Sequence, residues 1–398
     1  MAPLLTLEEA QERVLAHARR LPVEQVPIAD AAGRAAAEDV YASVDLPPFA
    51  SSAMDGFAVR SADLPATLRI AGESAAGRPF AGRLEPGTAA AISTGGVVPE
   101  GADAVVPIET VVVADNSVQI PSTPDAGSNV RPRGGDVASG AVVVPSGSSL
   151  TPARLAAAAA AGVAAVPCAR RPCVVVLATG SELVAPGGVL EAGQIYETNG
   201  LMLAAALSDV GVEVFSEPPA ADDEAALREA IGRGLTADVL VTSGGVSVGE
   251  HDLVRAVERE LGVEEVFWRV AIKPGKPISF GVRGSTLVLG LPGNPVSTLV
   301  GCELFVKPAL RALQGVAQPL PRLEPGQLAS SLRRSQDRDE FVRARTRVED
   351  GAVVVEPVVG QESHMIVRSS AADALVHIPR GNGELTAGSP VQWLRLAR

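Results

Sequence analysis

Apolar and polar positions change period several times along the chain. Over 6–20 the residues Leu7, Ala10, Val14, Leu15 and Ala18 recur at helical spacing, Thr6 stands where an N-cap belongs and Pro22 closes the segment, which predicts a first helix. From about 26 to 148 the pattern shifts to short apolar runs broken by Gly and Pro, such as AAAISTGG, ADAVVPIETVVV and GAVVVPSG, the signature of strands joined by long loops. TPARLAAAAAAGV then supplies Thr151 as cap, Pro152 at the first helical position and Gly162 as terminator, so a second helix is expected there.

Between 172 and 310 strand and helix patterns alternate. CVVVLATG, VEVF, DVLVTSGG and EEVFWRV read as strands, and helices are expected over 199–209, over 223–233, from Asp252 and over 296–310. This is the rhythm of a parallel sheet with crossover helices. ISFGV and TLVLGLPGNP add further strand signals before the last of those helices. Beyond 319 the runs FVRARTRVED, GAVVVEPVVG, ALVHIPRG and SPVQWLRLAR return to strand patterning, consistent with a small β-barrel or sandwich.

Composition narrows the class. With 398 residues, 46% of them hydrophobic, the chain can bury several cores, and its 3% aromatic content means that Ala, Val and Leu fill them. A net charge of −12 argues against nucleic acid as the main partner, so any anionic ligand must meet a local basic pocket. No run reaches the roughly 20 apolar residues of a membrane span and no signal segment opens the chain, which makes a cytoplasmic location the expectation. Cys168, Cys173 and Cys302 lack metal-ligand spacing and read as reduced thiols; His17, His251, His364 and His377 are too scattered for a zinc site.

Candidate chemistry gathers at loops after strands, where open α/β sheets bind ligands. Three such loops are ATGSEL, TSGGVSVGEHD and GLPGNPVS. In the second, Gly244, Gly245 and Gly249 miss the G-x-G-x-x-G spacing and no G-K-[ST] follows, so neither a dinucleotide fingerprint nor a P-loop is present. What remains is a bare turn whose N–H groups, with Ser247, can meet an anion; a tight strand-to-helix turn accounts for the same glycines. RVAIKPGKPISF sets Lys273 and Lys276 about a Pro-Gly turn, either an oxyanion clamp or a solvated loop. Asp55, Asp136, Glu182 and Asp252 are the candidate acids, to which Asp222 and Asp223 are added with N-capping as their alternative. Asp252 has the same capping alternative, whereas Glu182 and Asp55 show no evident structural role. Acids beside an anion-binding turn suggest Mg²⁺ and a phosphorylated substrate.

Taken together the motifs resemble one family, the molybdopterin molybdenumtransferases (the MoeA family, with gephyrin as a eukaryotic relative). The matching segments are PPFASSAMDGFAV, ISTGGVVPEGADAVVPIE, NVRPRGGDV, TGSEL, TSGGVSVGEHD, IKPGKP, LPGNPVS, FVRA and QESHM, in the family's order from about 47 to 380. The resemblance implies an elongated discontinuous domain (1–46 and 139–170), an inserted β-rich domain (47–138), a three-layer α/β molybdopterin-binding domain with a mostly parallel sheet (171–318) and a C-terminal β-barrel (319–398). It implies a homodimer that inserts molybdate into adenylylated molybdopterin, releasing AMP with Mg²⁺ as cofactor, and contact with the adenylyltransferase of the same pathway. By the same resemblance the molybdate pocket falls on Lys273, Lys276, Ser247, Arg343 and Ser363. The acidic and metal-linked positions fall on Asp55, Asp136, Glu182 and Asp252, Glu182 and Asp252 being the metal ligands, with Asp222 beside them, and Thr94, Pro292 and Pro295 match further functional positions.

Two positions depart from the family pattern. Ser181 replaces the Asp of T-G-D-E and Gly135 the Glu of R-G-E-D, each next to an acid that is kept. The rival readings are adenylylation of molybdopterin, carried by a relative of the α/β domain alone, and a scaffold on the same fold. Retention of both lysines, Arg343, Ser363 and the four acids favours the insertion enzyme.

Overall fold

The computed structural model describes residues 4–245 and 253–396. The first helix runs Leu7–His17, shorter at its end than the apolar spacing suggests because the backbone leaves helical geometry at Ala18. Its start follows the sequence. Thr6 Oγ1 accepts the Glu9 N–H at 3.1 Å and the Glu9 carboxylate accepts the Thr6 N–H at 2.8 Å, a reciprocal capping box. Leu7, Ala10, Val14 and Ala18 bury against the α/β core, so this helix packs on that part of the molecule although it opens the chain.

The N-terminal part is built from strands that meet across long sequence separations. Val23–Pro27 pairs antiparallel with Ala165–Ala169, and Val40–Tyr41 with Val142–Val144, so the chain leaves and returns to the same place around residues 45–140. In between lies a six-stranded mixed sheet, ordered 104–107, 56–59, 88–92, 66–74, 117–120 and 112–114. Side chains alternate across it: Phe57 and Val59 face one apolar cluster with Leu68 and Val118, while Ala58 faces another with Leu84 and Val105.

The α/β part carries a second six-stranded sheet, ordered 213–216, 173–178, 239–243, 286–291, 279–283 and 264–268. The first four strands are parallel, and 279–283 runs antiparallel to both its neighbours. The departure from an all-parallel sheet has a local cause: only Gly284 and Ser285 separate Ser279–Arg283 from Thr286–Leu291, too few for a crossover, and Gly284 supplies the positive φ of a hairpin. Period-2 alternation builds the three layers. Val174, Val176, Val239 and Val241 pack with Leu203 and Leu207 of helix Asn199–Leu207, whereas Val175, Leu177 and Leu240 pack with Leu227, Ile231, Val254 and Val257 of the two helices on the opposite face.

The last helical stretch was expected as one helix over 296–310. It is helix Pro295–Gly301, a π-helical segment Cys302–Val306 and helix Lys307–Leu313. Pro308 is the physical reason, since it lacks an N–H and its ring crowds the carbonyl a turn back. After it, five strands (323–328, 339–349, 352–357, 374–378 and 390–395) close on themselves, because 339–349 pairs with both 352–357 and 374–378. The C-terminal unit is therefore a barrel rather than a sandwich. Val342, Ala344, Val355, Val376 and Trp393 fill it, while Phe341, Leu375 and Leu394, one position out of phase, face the α/β core. All three cysteines are free, and burial pushes the Cys302 thiol up to about 12.

Candidate functional site

A cleft of about 720 Å³ lies beyond the carboxyl ends of strands 173–178, 239–243 and 286–291. The three loops singled out in the sequence form its walls: Thr179, Gly180 and Glu182 from the first, Ser243 to Gly245 from the second, and Pro292 to Asn294 from the third. Asp222 and Asn199 add polar groups to them, Leu183, Ile195 and Leu253 add apolar ones, and Pro277, next to Lys276, brings the lysine loop to the rim.

The glycine pair has a steric origin. Gly244 and Gly245 sit at φ +102° and +64°, and a Cβ would lie 2.4 Å from the Thr179 carbonyl oxygen at the first and 2.2 Å from a Val254 methyl at the second. The turn is bare because it is pressed against a neighbouring strand end and a helix. The third loop runs beside the turn, a Cβ on Gly293 lying 3.6 Å from the Gly244 Cα.

Glu182 folds back over Gly180, whose missing Cβ would otherwise sit 2.6 Å from a Glu182 carboxylate oxygen. Among the described residues this carboxylate takes no hydrogen bond and no ion pair. Asp222 is held by a reciprocal pair, its N–H donating to Ser181 Oγ at 2.9 Å and its Oδ2 accepting the Ser181 N–H at 3.3 Å. Residue 181 thus holds Asp222 from two sides, its main-chain N–H on the carboxylate and its hydroxyl on the Asp222 main chain. Neighbouring Asp223 is the N-cap of helix Glu224–Gly234, accepting the Ala226 N–H at 3.0 Å.

Beneath the cleft lies a buried polar cluster that the sequence reading did not single out. Asn199, 9% exposed, donates from Nδ2 to Ser243 Oγ at 2.9 Å and to the Gly293 carbonyl at 2.7 Å, tying two of the loops together. Thr298 donates to the Pro292 carbonyl at 2.6 Å. The available signal was the asparagine opening a helix directly after a strand, a position where its amide can reach neighbouring strand ends.

The remaining candidates separate. Lys273 lies on a short strand parallel to Asp339–Glu340 and meets Glu340 Oε1 at 3.2 Å; half-buried Lys276 takes no carboxylate partner among the described residues. Arg343 is 1% exposed and spends three of its N–H groups on Gln361 Oε1 and the Glu362 and Gly360 carbonyls, at 3.3, 3.3 and 2.9 Å. Burial lowers its pKa, with Glu362 opposing. Arg343 therefore shapes the loop that delivers Ser363, whose hydroxyl accepts from Asn294 Nδ2 at 2.9 Å and whose carbonyl accepts the Val296 N–H at 3.1 Å. Pro295 starts that helix at its first position.

Asp55, Thr94 and Asp136 are absent from the cleft lining. Asp55 Oδ1 accepts the Thr94 N–H at 2.6 Å, so two residues named apart are direct neighbours. The bond also gives Asp55 the structural role that its sequence context did not show. Asp136 is exposed, and its loop is anchored by Arg133, which donates to Asp45 Oδ2 at 2.6 Å, and by its own N–H to the Leu46 carbonyl at 2.9 Å. The Ser139 N–H and then Arg133 hold the Asp45 carboxyl below the usual range. Ser247, Gly249 and Asp252 lie outside the described residues.

Among the described residues no cluster of three or more metal-ligating side chains occurs. Glu182 and Asp222 nonetheless place two carboxylates on one cleft, a hard oxygen set suited to Mg²⁺ completed by water and phosphate rather than by an all-protein cage. No helix among the described residues is long and apolar enough to cross a membrane.

Comparison with known proteins agrees along the whole length. Residues 5–162 match the MoeA N-terminal region (domain I and II), 175–312 the probable molybdopterin binding domain, and 325–396 the MoeA C-terminal region (domain IV). The chain is 38% identical over 398 residues to the molybdopterin molybdenumtransferase of Haemophilus influenzae, covering 98% of both proteins. It is likewise 38% identical over 401 residues to molybdopterin molybdenumtransferase 2 of Mycobacterium tuberculosis, covering 96% of this chain and 98% of that protein. The crystal structure of a molybdopterin biosynthesis MoeA protein from Pyrococcus horikoshii OT3 superposes with a TM-score of 0.85 at 28% identity, over 98% of this chain and 100% of that one.

Proposed function

The chain belongs to the molybdopterin molybdenumtransferase family, and from that premise we propose that it inserts molybdate into adenylylated molybdopterin at the cleft above the α/β sheet, releasing AMP. The observation that carries the reading is the convergence of Glu182, Asp222, the Gly244–Gly245 turn and the Pro292–Asn294 loop on one cleft with the lysine loop at its rim. The substrates are anions, and each wall has a distinct task toward them.

Lys276 and Lys273 supply fixed positive charge for the tetrahedral molybdate dianion, with Ser363 adding a hydroxyl; size and donor geometry select the anion. Arg343 acts through the 358–362 loop it holds, not by touching the anion. The close-packed glycine turn lets the nucleotide-bearing half of the substrate approach the main chain. Glu182 and Asp222 would hold Mg²⁺, which neutralises charge on the phosphoanhydride when bound. Asn199, through Ser243 and Gly293, fixes the spacing of two loops, so the substrate meets a preorganised floor. The chain acts as a homodimer in which the partner's N-terminal half, with Asp55, Thr94 and Asp136, completes each cleft.

The test is AMP release from adenylylated molybdopterin with and without molybdate. Molybdate-dependent release is expected in the wild type, and Lys276→Ala should lower it at limiting molybdate by roughly tenfold or more, the loss of one charge-assisted contact. Release indifferent to molybdate, or an unchanged Lys276→Ala, overturns the assignment. Net consumption of ATP with free molybdopterin would instead identify the adenylylation step.

A further inference from the structure

A second cleft, of about 410 Å³, opens where residues 33–35 and the 149–152 turn of the N-terminal part meet helix Lys307–Leu313 along its length. It shares no lining residue with the cleft above the sheet. Among the described residues Arg34, Lys307 and Arg311 line it and no carboxylate does, in a chain whose net charge is −12.

The three cations are not equivalent. Arg34 and Lys307 are each 4% exposed. Arg34 Nη2 donates to Glu24 Oε1 at 2.7 Å and to the Ala169 carbonyl at 2.5 Å, but its buried Nε has no partner among the described residues. Lys307 Nζ donates to Glu303 Oε1 at 2.5 Å, which leaves two of its three N–H groups uncommitted. Arg311 has one long contact, to the Pro319 carbonyl at 3.5 Å, and no ion pair among the described residues. Glu24 and Glu303 thus offset two charges and leave the third. Thr151, on the same wall, accepts the Arg154 N–H as cap of helix Pro152–Ala160, which keeps its hydroxyl proton free to donate. Its helix also turns its positive end to this wall.

A guanidinium nine-tenths buried with an orphaned donor, beside an unpaired arginine and a free hydroxyl, is a set of donors short of an acceptor. We propose that this interdomain cleft is a second anion site, which takes a tetrahedral oxyanion dianion, either free or as the phosphate of a nucleoside monophosphate. Occupancy there would bridge the N-terminal part and the α/β part through one charge.

The experiment is calorimetric titration of the full-length protein with inorganic phosphate at low ionic strength, in a Lys273→Ala/Lys276→Ala background that strips the first cleft of its lysines. One phosphate per chain is expected to bind. Adding Arg311→Gln should weaken that binding roughly tenfold or more while the melting temperature without phosphate stays unchanged. Arg34→Gln, checked for folding by circular dichroism, should do the same. Displacement of phosphate by AMP identifies the nucleotide phosphate as the ligand, and indifference to AMP identifies the free oxyanion. Absence of phosphate binding in the lysine-free background, or binding unaffected by both arginine variants, overturns the proposal. The AMP-release assay is independent of this titration, so the failure of one reading is not mistaken for failure of the other.

Discussion

At the scale of single residues, the acids divide by what already occupies them. Asp238 accepts both N–H arms of Arg170, at 2.6 and 2.7 Å, and the Cys173 N–H at 2.8 Å. Burial works to raise its pKa, but the Arg170 bonds and the Cys173 N–H outweigh burial, so the carboxyl titrates below its ordinary range. A depressed folded pKa adds stability above the unfolded pKa that is lost as pH falls through the folded one. Asp238→Asn should accordingly lower unfolding stability by about 1–2 kcal/mol at pH 7, discounted for the 41% exposure of Arg170, with the gap to wild type closing at acid pH. Urea titrations at both pH values check this; a gap that does not change with pH contradicts it. Glu182 is the opposite case, since nothing among the described residues holds its charge. Glu182→Gln should therefore abolish most AMP release and leave the urea midpoint in place, and a midpoint shift as large as the Asp238→Asn shift would mean that the carboxylate is structural.

At the scale of elements, the cleft depends on three strand ends held in contact by glycine. Gly244→Ala places a methyl 2.4 Å from the Thr179 carbonyl oxygen at a φ of +102°, so backbone must move. A cost of about 1–3 kcal/mol and a distorted cleft are expected. Gly293 is the internal control. Its Cβ would meet nothing nearer than the Gly244 Cα at 3.6 Å, an ordinary contact, and Gly293→Ala should melt close to wild type. Equal melting temperatures for the two variants would refute the steric account of the turn. Helix starts behaved as their caps dictate, at Thr6 and Thr151, because an N-cap acts within one turn. The stretch 295–313 starts beside its expected position but breaks in its interior, where Pro308 removes a ladder donor.

At the scale of the whole molecule, the candidate residues form two groups. Glu182, Asp222 and the glycine turn share one cleft, while the bonded pair Asp55–Thr94 sits in the N-terminal part. A two-fold dimer would join the groups by placing one chain's N-terminal half over the other's cleft. Asp55→Asn and Lys273→Ala chains, each inactive alone, should then regain activity on co-expression. A mixed dimer has one site with both lesions and one with neither, so random pairing should give about a quarter of wild-type activity. No recovery in verified heterodimers would place the site within a single chain.

Whatever is local in origin was legible in the chain alone: the capped helix starts, the alternating strands that make three layers, and the loops after strands 173–178, 239–243 and 286–291 that wall the cleft. Motifs in a fixed order were enough to reach the family, since each carries its meaning within a few residues. The tertiary structure alone decided what depends on contacts between distant segments. It closed the C-terminal strands into a barrel, turned Arg343 from a free cation into the clamp of a loop, and gave Asp55 a partner in Thr94. It also drew Asn199 beneath the cleft and set Arg34 beside Lys307 and Arg311. Periodicity records which face of an element is apolar, but which side chains exhaust one another's hydrogen-bonding capacity is fixed only when the elements pack.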